Sequence, residues 1–231
     1  MEPQYSLVIP IYNEEGNIEV LHEEIRAVMD PLGVYEVIYV DGGSTDSSRA
    51  KLHSLQHAMV IELPENGGQA VAMSVGFKAA RGAIVISLDG DLQNDPADIP
   101  MMLTKLEAEH LDVVAGWRKD RKDRFSIRIL SRLGRLARYV VLGDTFHDTG
   151  CTLRVYRREA VQTLDISGGM HRYILALLAM RGFRIGEVVV HDRARIHGVT
   201  KYTYAKIVPS FIDLLSIWFL RRRTLRLANN A

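Results

Sequence analysis

Two carboxylates one residue apart, Asp89 and Asp91, follow the apolar run Ala83-Ile84-Val85-Ile86-Ser87-Leu88, with Gly90 between them. Hard oxygen donors held this close suit a divalent cation, Mg²⁺ or Mn²⁺, which can bridge the pair to a substrate diphosphate. Gln93 offers a third, neutral oxygen. The run ahead of them is β-branched and reads as a strand buried on both faces of a parallel sheet. Open α/β sheets bind their ligands at the carboxyl ends of such strands. The competing reading is a turn whose aspartates only cap the next helix, as Asp95 does ahead of Pro96.

A second group of residues is cationic. Between Trp117 and Arg138 stand nine Lys/Arg against Asp120 and Asp123. Arg124, Arg128, Arg132, Arg135 and Arg138 step by three or four, so on a helix they form one stripe, with Ile129, Leu133, Leu136, Val140 and Val141 opposite. No acid interrupts residues 125–142, so this is not the usual solvated face with i,i+4 pairs. Such a stripe suits phosphate recognition or docking on anionic lipid. Arg193, Arg195 and Lys201 cluster around Gly198, which reads as a loop able to close over a phosphate.

The elements that must position these groups alternate. Strands are expected at Tyr5–Ile11, Tyr35–Val40, Met59–Leu63, Ala83–Leu88 and Leu111–Ala115. Helices are expected at Asn17–Met29, from a Ser44 cap to about Leu55, at Gln69–Ala80 and at Ile99–Glu109. That alternation means a doubly wound parallel sheet. Beyond it, Thr152–Tyr156 and Phe183–Val190 read as strands and Met170–Met180 as a helix. His147-Asp148-Thr149-Gly150-Cys151 reads as a turn or as a loop at the sheet's carboxyl edge.

Composition narrows the function. The first strand is followed by Tyr12-Asn13-Glu14-Glu15-Gly16-Asn17, with two acids where a dinucleotide cradle needs glycines, and there is no G-x-x-x-x-G-K-[ST] loop. Phosphates are therefore not held by a glycine loop, which leaves a metal at Asp89/Asp91. Residues 1–116 carry 6 Lys/Arg against 19 Asp/Glu, and residues 117–231 carry 23 against 9. A first half this acidic does not line a polyanion, so nucleic acid is not an expected partner. The single Cys151 fits a reducing compartment, and residues 1–6 have no signal-peptide character. Ile207–Leu220 is largely apolar but short of the ~20 residues a span requires, and Arg221, Arg222, Arg223 and Arg226 follow it. It reads as an interfacial helix with a polybasic tail, or else as a core helix.

Taken in order, these motifs resemble the family 2 inverting glycosyltransferases of the GT-A fold, and within them the polyprenyl-phosphate branch of the dolichol-phosphate mannose synthases. The marks are Val8-Ile9-Pro10-Ile11-Tyr12-Asn13-Glu14, Val40-Asp41-Gly42-Gly43-Ser44-Thr45-Asp46, Asn66-Gly67-Gly68-Gln69, Asp89-Gly90-Asp91-Leu92-Gln93, Gly116-Trp117-Arg118, Ser131-Arg132, Asp148-Thr149-Gly150-Cys151 and Gly198-Val199-Thr200-Lys201-Tyr202. The resemblance runs from about Tyr5 to Phe219. It implies an α/β, Rossmann-like, doubly wound, mostly parallel sheet with helices on both faces, plus C-terminal amphipathic helices. It divides the chain into a glycosyltransferase domain over 1–205, with a nucleotide and metal half (1–116) and an acceptor half (117–205), and an interfacial helix with a basic tail over 206–231.

By the same resemblance Pro10, Tyr12, Glu14, Asp41, Gly68 and Asp89 would surround the nucleotide, and Asp89, Asp91 and Gln93 would gather Mg²⁺ or Mn²⁺. Arg118, Arg128, Ser131, Arg132, Arg195 and Lys201 would surround the acceptor phosphate, with Asp91 and Arg118 as the catalytic pair. The expected reaction is metal-dependent, inverting transfer of a hexose, mannose or glucose favoured, from a nucleotide-sugar to a polyprenyl (dolichyl or undecaprenyl) phosphate. It is placed on the cytoplasmic face of a membrane, with the membrane surface and a membrane-anchored subunit as further partners. Where the family usually reads Asp-Asp-Gly-Ser this chain reads Asp41-Gly42-Gly43-Ser44, which leaves the nucleotide base open. The Q-x-x-R-W motif of processive synthases is absent. Two other readings stand beside this one. The same fold could glycosylate a hydroxyl of a glycan or glycolipid, with Asp148 as general base. The chain could also be a non-catalytic nucleotide-binding membrane adaptor.

Overall fold

The apolar runs become the strands of one seven-stranded sheet in a computed structural model that describes residues 2–119, 138–162 and 164–194. In chain order they are β1 (Tyr5–Ile11), β2 (Tyr35–Asp41), β3 (Ala58–Glu62), β4 (Ile84–Ser87), β5 (Val113–Trp117), β6 (Arg154–Arg157) and β7 (Ile185–Val189). Their spatial order is β3-β2-β1-β4-β6-β5-β7. The pairs β1–β2, β2–β3, β1–β4 and β5–β7 are parallel. Of these seven strands β6 alone runs the other way, antiparallel to both β4 and β5.

The period of two sorts the side chains into two cores. Leu7, Ile9, Tyr39, Ile86, Val114 and Val155 pack against α1 (Ile18–Met29), α2 (Ser48–Ser54) and α4 (Ile99–Ala108). Val8, Ile38, Val40, Val85, Val113 and Tyr156 pack against α3 (Gly68–Ala79) and the helices Arg158–Gln162 and Ile174–Met180. All four residues of β4 are buried, as its composition predicts.

The expected mostly parallel, doubly wound sheet is present, with β6, from later in the chain, entering antiparallel between β4 and β5. Other expectations are corrected. Ser44 does not cap α2, which begins at Ser48; its hydroxyl instead accepts a hydrogen bond from Asn13 N (3.0 Å). The competition for polar partners between two adjacent loops delays the helix. Met170–Tyr173 is a 3₁₀ turn that only then continues as Ile174–Met180. Val140 does not share a buried side with Val141: it is 73% exposed, while Val141 packs on Tyr173 and Ala176. The remainder of the cationic stripe and the 206–231 segment lie outside the described residues.

Candidate active site

β1 pairs with β4 only through Val8↔Ser87, whereas its pairing with β2 runs on to Ile11↔Asp41. Past that rung the two strands part. Strand order also reverses here, since β2 lies on one side of β1 and β4 on the other. This is the crevice where open α/β sheets take ligands. It also explains Pro10 in a central strand, since Pro10 lies beyond the last rung to β4.

Three loops line this edge and tie one another down. After β1, Asn13 takes a left-handed conformation (φ 54°) that its short amide tolerates. Its carbonyl oxygen Oδ1 accepts from Thr45 N (2.8 Å), and Glu14 N donates to Ser48 Oγ (2.8 Å). Glu14 Oε2 in turn accepts from Asn17 Nδ2 at the start of α1 (2.7 Å). After β2, Gly43 has φ +80° and lies against the backbone of Glu65 and Asn66, which brings the third loop in. Gly68, also at positive φ, donates its N–H to Asn66 Oδ1 (2.9 Å) and opens α3.

Asp41 is fully buried at the end of β2. One carboxylate oxygen accepts from Ser44 N (3.1 Å) and the other from Arg49 Nε (3.2 Å). Arg49 also bridges Glu62. The carboxylate therefore shapes the turn and orients Arg49.

Asp89 and Asp91 leave β4 into the crevice. Gly90 between them is required by packing: a Cβ there would stand 2.4 Å from Ile11 Cδ1 and 3.4 Å from Pro10 O. Asp89 Oδ1 accepts from Gln69 Nε2 of α3 (2.7 Å), and Asp89 N donates to the buried Asn94 Oδ1 (2.9 Å). Asp91 Oδ1 accepts from Gln93 N (3.1 Å), and Leu92 turns through φ 63° to close the loop. Burial and the neighbouring Asp91 charge push the Asp89 carboxyl up to about 6, against the pull of Thr152, Arg118 and Arg154. Two acids forced together with little solvent are a donor set a hard divalent cation would relieve. Among the described residues no cluster of three or more His, Cys, Asp or Glu is gathered. The described residues thus offer two carboxylates with Gln93 beside them, and phosphate oxygens and water would complete the shell. These residues fit Mg²⁺ or Mn²⁺.

Across the crevice Arg118, just past β5, pairs with Asp148. Its Nε donates to Oδ2 (2.8 Å) and its Nη2 to Oδ1 (3.2 Å), with both side chains at most 10% exposed. Nη1 stands 3.8 Å from Asp192. Burial works against the guanidinium charge, but the Asp148 pairing outweighs it and raises the pKa further. Asp148 also accepts from Gly150 N and, more distantly, from Arg118 N. A carboxylate so engaged is a poor general base. Cys151 beside it is buried, which pushes its thiol up to about 11 and removes it as a nucleophile.

A strap after β7 locks the acidic loop. Asp192 bridges Asn94, Arg193 N donates to Gln93 O (3.0 Å), and His191 pairs with buried Asp98 (2.8 Å). The Arg193 guanidinium turns back to Glu24 and Asp95 (both 2.7 Å), so it does not belong with the phosphate-closing cluster expected of it. The nearby acids of α1 and the Asp95 cap claim it first.

The structure thus brings Pro10, Tyr12, Glu14, Asp41, Gly68, Asp89, Asp91 and Gln93 to one edge, with Arg118 facing them. Arg128, Ser131, Arg132, Arg195 and Lys201 lie outside the described residues. Sequence patterns assign no role to Gln69, Asn94, Thr152, Arg154 or Asp192. Gln69 and Asn94 at least sit inside or next to recognisable motifs. Arg154 is a charge inside the apolar run expected over Thr152–Tyr156 and opens β6, and only its oddity there points to it.

Comparison with known proteins agrees with this geometry. The family model described as Glycosyl transferase family 2 matches residues 6–165. The chain is 40% identical over 230 residues to a dodecaprenyl-phosphate galacturonate synthase of Rhizobium johnstonii, covering 95% of this chain and 68% of that protein. It is 33% identical over 217 residues to an undecaprenyl-phosphate 4-deoxy-4-formamido-L-arabinose transferase of Salmonella paratyphi A, covering 91% and 66%. The chain therefore spans about two thirds of the length of these relatives. Among solved structures, glucosyl-3-phosphoglycerate synthase from Mycobacterium tuberculosis with phosphoglyceric acid matches with TM-score 0.69 at 22% identity, over 95% of this chain and 80% of that one. The same enzyme with Mn²⁺, uridine diphosphate and its glucosylated product matches with TM-score 0.64 at 23% identity, over 85% and 73%. At that identity the likeness shows the shared fold.

Proposed function

Since the chain belongs to glycosyl transferase family 2, we propose that it transfers a sugar from a nucleotide-sugar to a polyprenyl phosphate, with inversion at the anomeric carbon. The observation that carries this reading is the pairing of opposite chemistries across one crevice. Asp89 and Asp91 form an acidic pair on one side, and Arg118, locked by Asp148, faces it. The activities for which the two bacterial relatives are named, both polyprenyl-phosphate glycosyl transfers, support the acceptor class.

Asp89 and Asp91 would hold the divalent cation, joined by Gln93. When bound, that cation would neutralise the charge of the departing diphosphate. A lipid phosphate is already anionic at neutral pH, so its oxygen needs no strong base, and none is required of Asp148. Pairing Nε and Nη2 with Asp148, with Nη1 3.8 Å from Asp192, limits the ways the Arg118 guanidinium can turn toward a second anion. Arg128, Ser131, Arg132, Arg195 and Lys201 are proposed to complete the acceptor site. Pro10, Tyr12, Glu14 and Gly68 would border the nucleotide. We place the protein at the cytoplasmic face of a membrane, where such an acceptor presents its phosphate. Among the described residues no helix is long and apolar enough to cross a bilayer.

The decisive experiment is a donor panel of GDP-mannose, UDP-glucose, UDP-GlcNAc and UDP-galacturonate with a short polyprenyl phosphate and Mn²⁺, read as sugar transferred to the lipid phase. One donor should give a lipid-linked product that EDTA abolishes. Transfer only to a free polyprenol or a glycan hydroxyl would defeat the proposal. Asp91→Asn should lower turnover about a hundredfold or more while leaving the circular dichroism spectrum intact. No transfer from any donor, with biological function intact in an Asp91→Ala variant, would point to the adaptor reading.

A further inference from the structure

Among the described residues the largest fully buried side chain is a charge. Arg154 on β6 is 1% exposed. Its guanidinium donates to two main-chain carbonyls, Thr149 O (2.6 Å) and His171 O (3.4 Å), and its Nε is buried with no hydrogen-bond partner. Two carbonyl dipoles do not balance a guanidinium removed from water. A carboxylate stands one step along the sheet. Arg154 stands opposite Ser87 in the β4–β6 register, so the two side chains share a face. Asp89 follows Ser87 by two residues, and its bond to Gln69 of α3 puts its carboxylate toward that same face.

We infer that Arg154 is a built-in counter-charge beneath the Asp89/Asp91 pair: it stabilises the pair when no cation is bound, and so weakens cation binding and keeps the cation exchangeable. The inference rests on the metal role proposed for Asp89 and Asp91. Arg154 is a positioning residue, since it acts through the acids. A purely structural residue tying β6 to the 149–151 loop would stabilise the fold equally with and without metal. A counter-charge must instead compete with the metal for the same two acids.

The test is a double-mutant cycle on the full chain with Mn²⁺ as the probe. Arg154→Met and Arg154→Gln should lower the metal-free melting temperature, tighten Mn²⁺ binding roughly tenfold and enlarge the melting shift that Mn²⁺ produces. Arg154→Lys keeps the charge and should keep an affinity near wild type. Asp89→Asn should suppress the metal-free cost of Arg154→Met, so that the double variant melts higher than the sum of single effects. If Arg154→Met does not fold alone, recovery of folding by Asp89→Asn supports the coupling equally well. Unchanged Mn²⁺ affinity in the Met and Gln variants, or strictly additive losses with Asp89→Asn, would overturn the inference. If the wild-type protein binds no Mn²⁺, the metal reading fails, while the metal-free coupling between Arg154 and Asp89 still decides the counter-charge.

Discussion

Arg118 and Asp148 show how one contact can serve both stability and chemistry. Both side chains are nearly removed from solvent, and both carboxylate oxygens meet the guanidinium. A pair of this kind is of little net value against an apolar substitute, but removing one partner strands a buried charge, which costs about 3–5 kcal/mol. Asp148→Asn alone and Arg118→Gln alone should each be strongly destabilising, whereas the double variant should cost less than the sum, as read by urea denaturation. Additive losses would mean that the pair is not a unit. His22 gives a prediction of opposite electrostatic sense. Its ring is buried under Tyr39 and Gln56, with Nε2 able to donate to Gln56 O and Nδ1 to accept from Tyr39. Burial lowers its pKa below the usual 6.5, so the unfolded chain binds the extra proton more readily. Stability from this group is complete above about pH 6.5 and is lost as pH falls through the depressed value. Relative to a His22→Gln variant, the wild type should therefore lose melting temperature between pH 7 and pH 5.

At the level of elements, α3 is placed by close approach. A Cβ at Gly76 would stand 2.3 Å from Val8 Cγ1 and 3.2 Å from Val40 Cγ2, both on β-branched side chains with little freedom to move. Alanine normally improves a helix interior by up to about 1 kcal/mol, but forcing a methyl into a packed interface costs about 1–3 kcal/mol. The second effect should win, so Gly76→Ala is expected to lower the melting temperature by about 5 °C. Val8→Ala should restore much of the loss in the double variant, and a Gly76→Ala protein more stable than wild type would refute the packing argument. The same element carries Gln69 to Asp89, so its displacement should also be felt at the site. Element boundaries in the first half were legible because each strand is a short apolar run ended by turn residues. Asp89 and Asp91 were legible because spacing alone brings them together. Gln69 and Arg154 were not, because each comes from another element, and no local pattern encodes a contact between a helix start and a loop 20 residues later; Asn94 is local to the acids, but its residue type alone does not say that its oxygen takes Asp89 N.

Across the whole molecule, the opposed charges of the two halves suggest a division that the sheet does not respect. β6 comes from the basic half yet lies between β4 and β5 of the acidic half. That insertion escaped the sequence because strand order is set by which faces must be covered, and the apolar content of Thr152–Tyr156 does not say which neighbours it will have. Its consequences for the site are direct. Thr152 Oγ1 donates to Asn94 Oδ1 (2.9 Å), the same oxygen that takes Asp89 N, and Ser87 Oγ donates to Thr152 O (2.6 Å). The acidic loop is thus held from behind by residues more than fifty positions later. A fragment comprising residues 1–150 contains Asp89, Asp91 and Arg118, but it would leave β4 with an open edge and β5 with neither of its partners. It would also carry an exposed apolar face where Tyr156, Leu175 and Leu178 belong. Such a fragment should show no cooperative urea transition and no Mn²⁺-induced stabilisation. Cooperative unfolding of the fragment with a metal response like that of the full chain would show that the acidic half builds its site alone, and that β6 is dispensable to it.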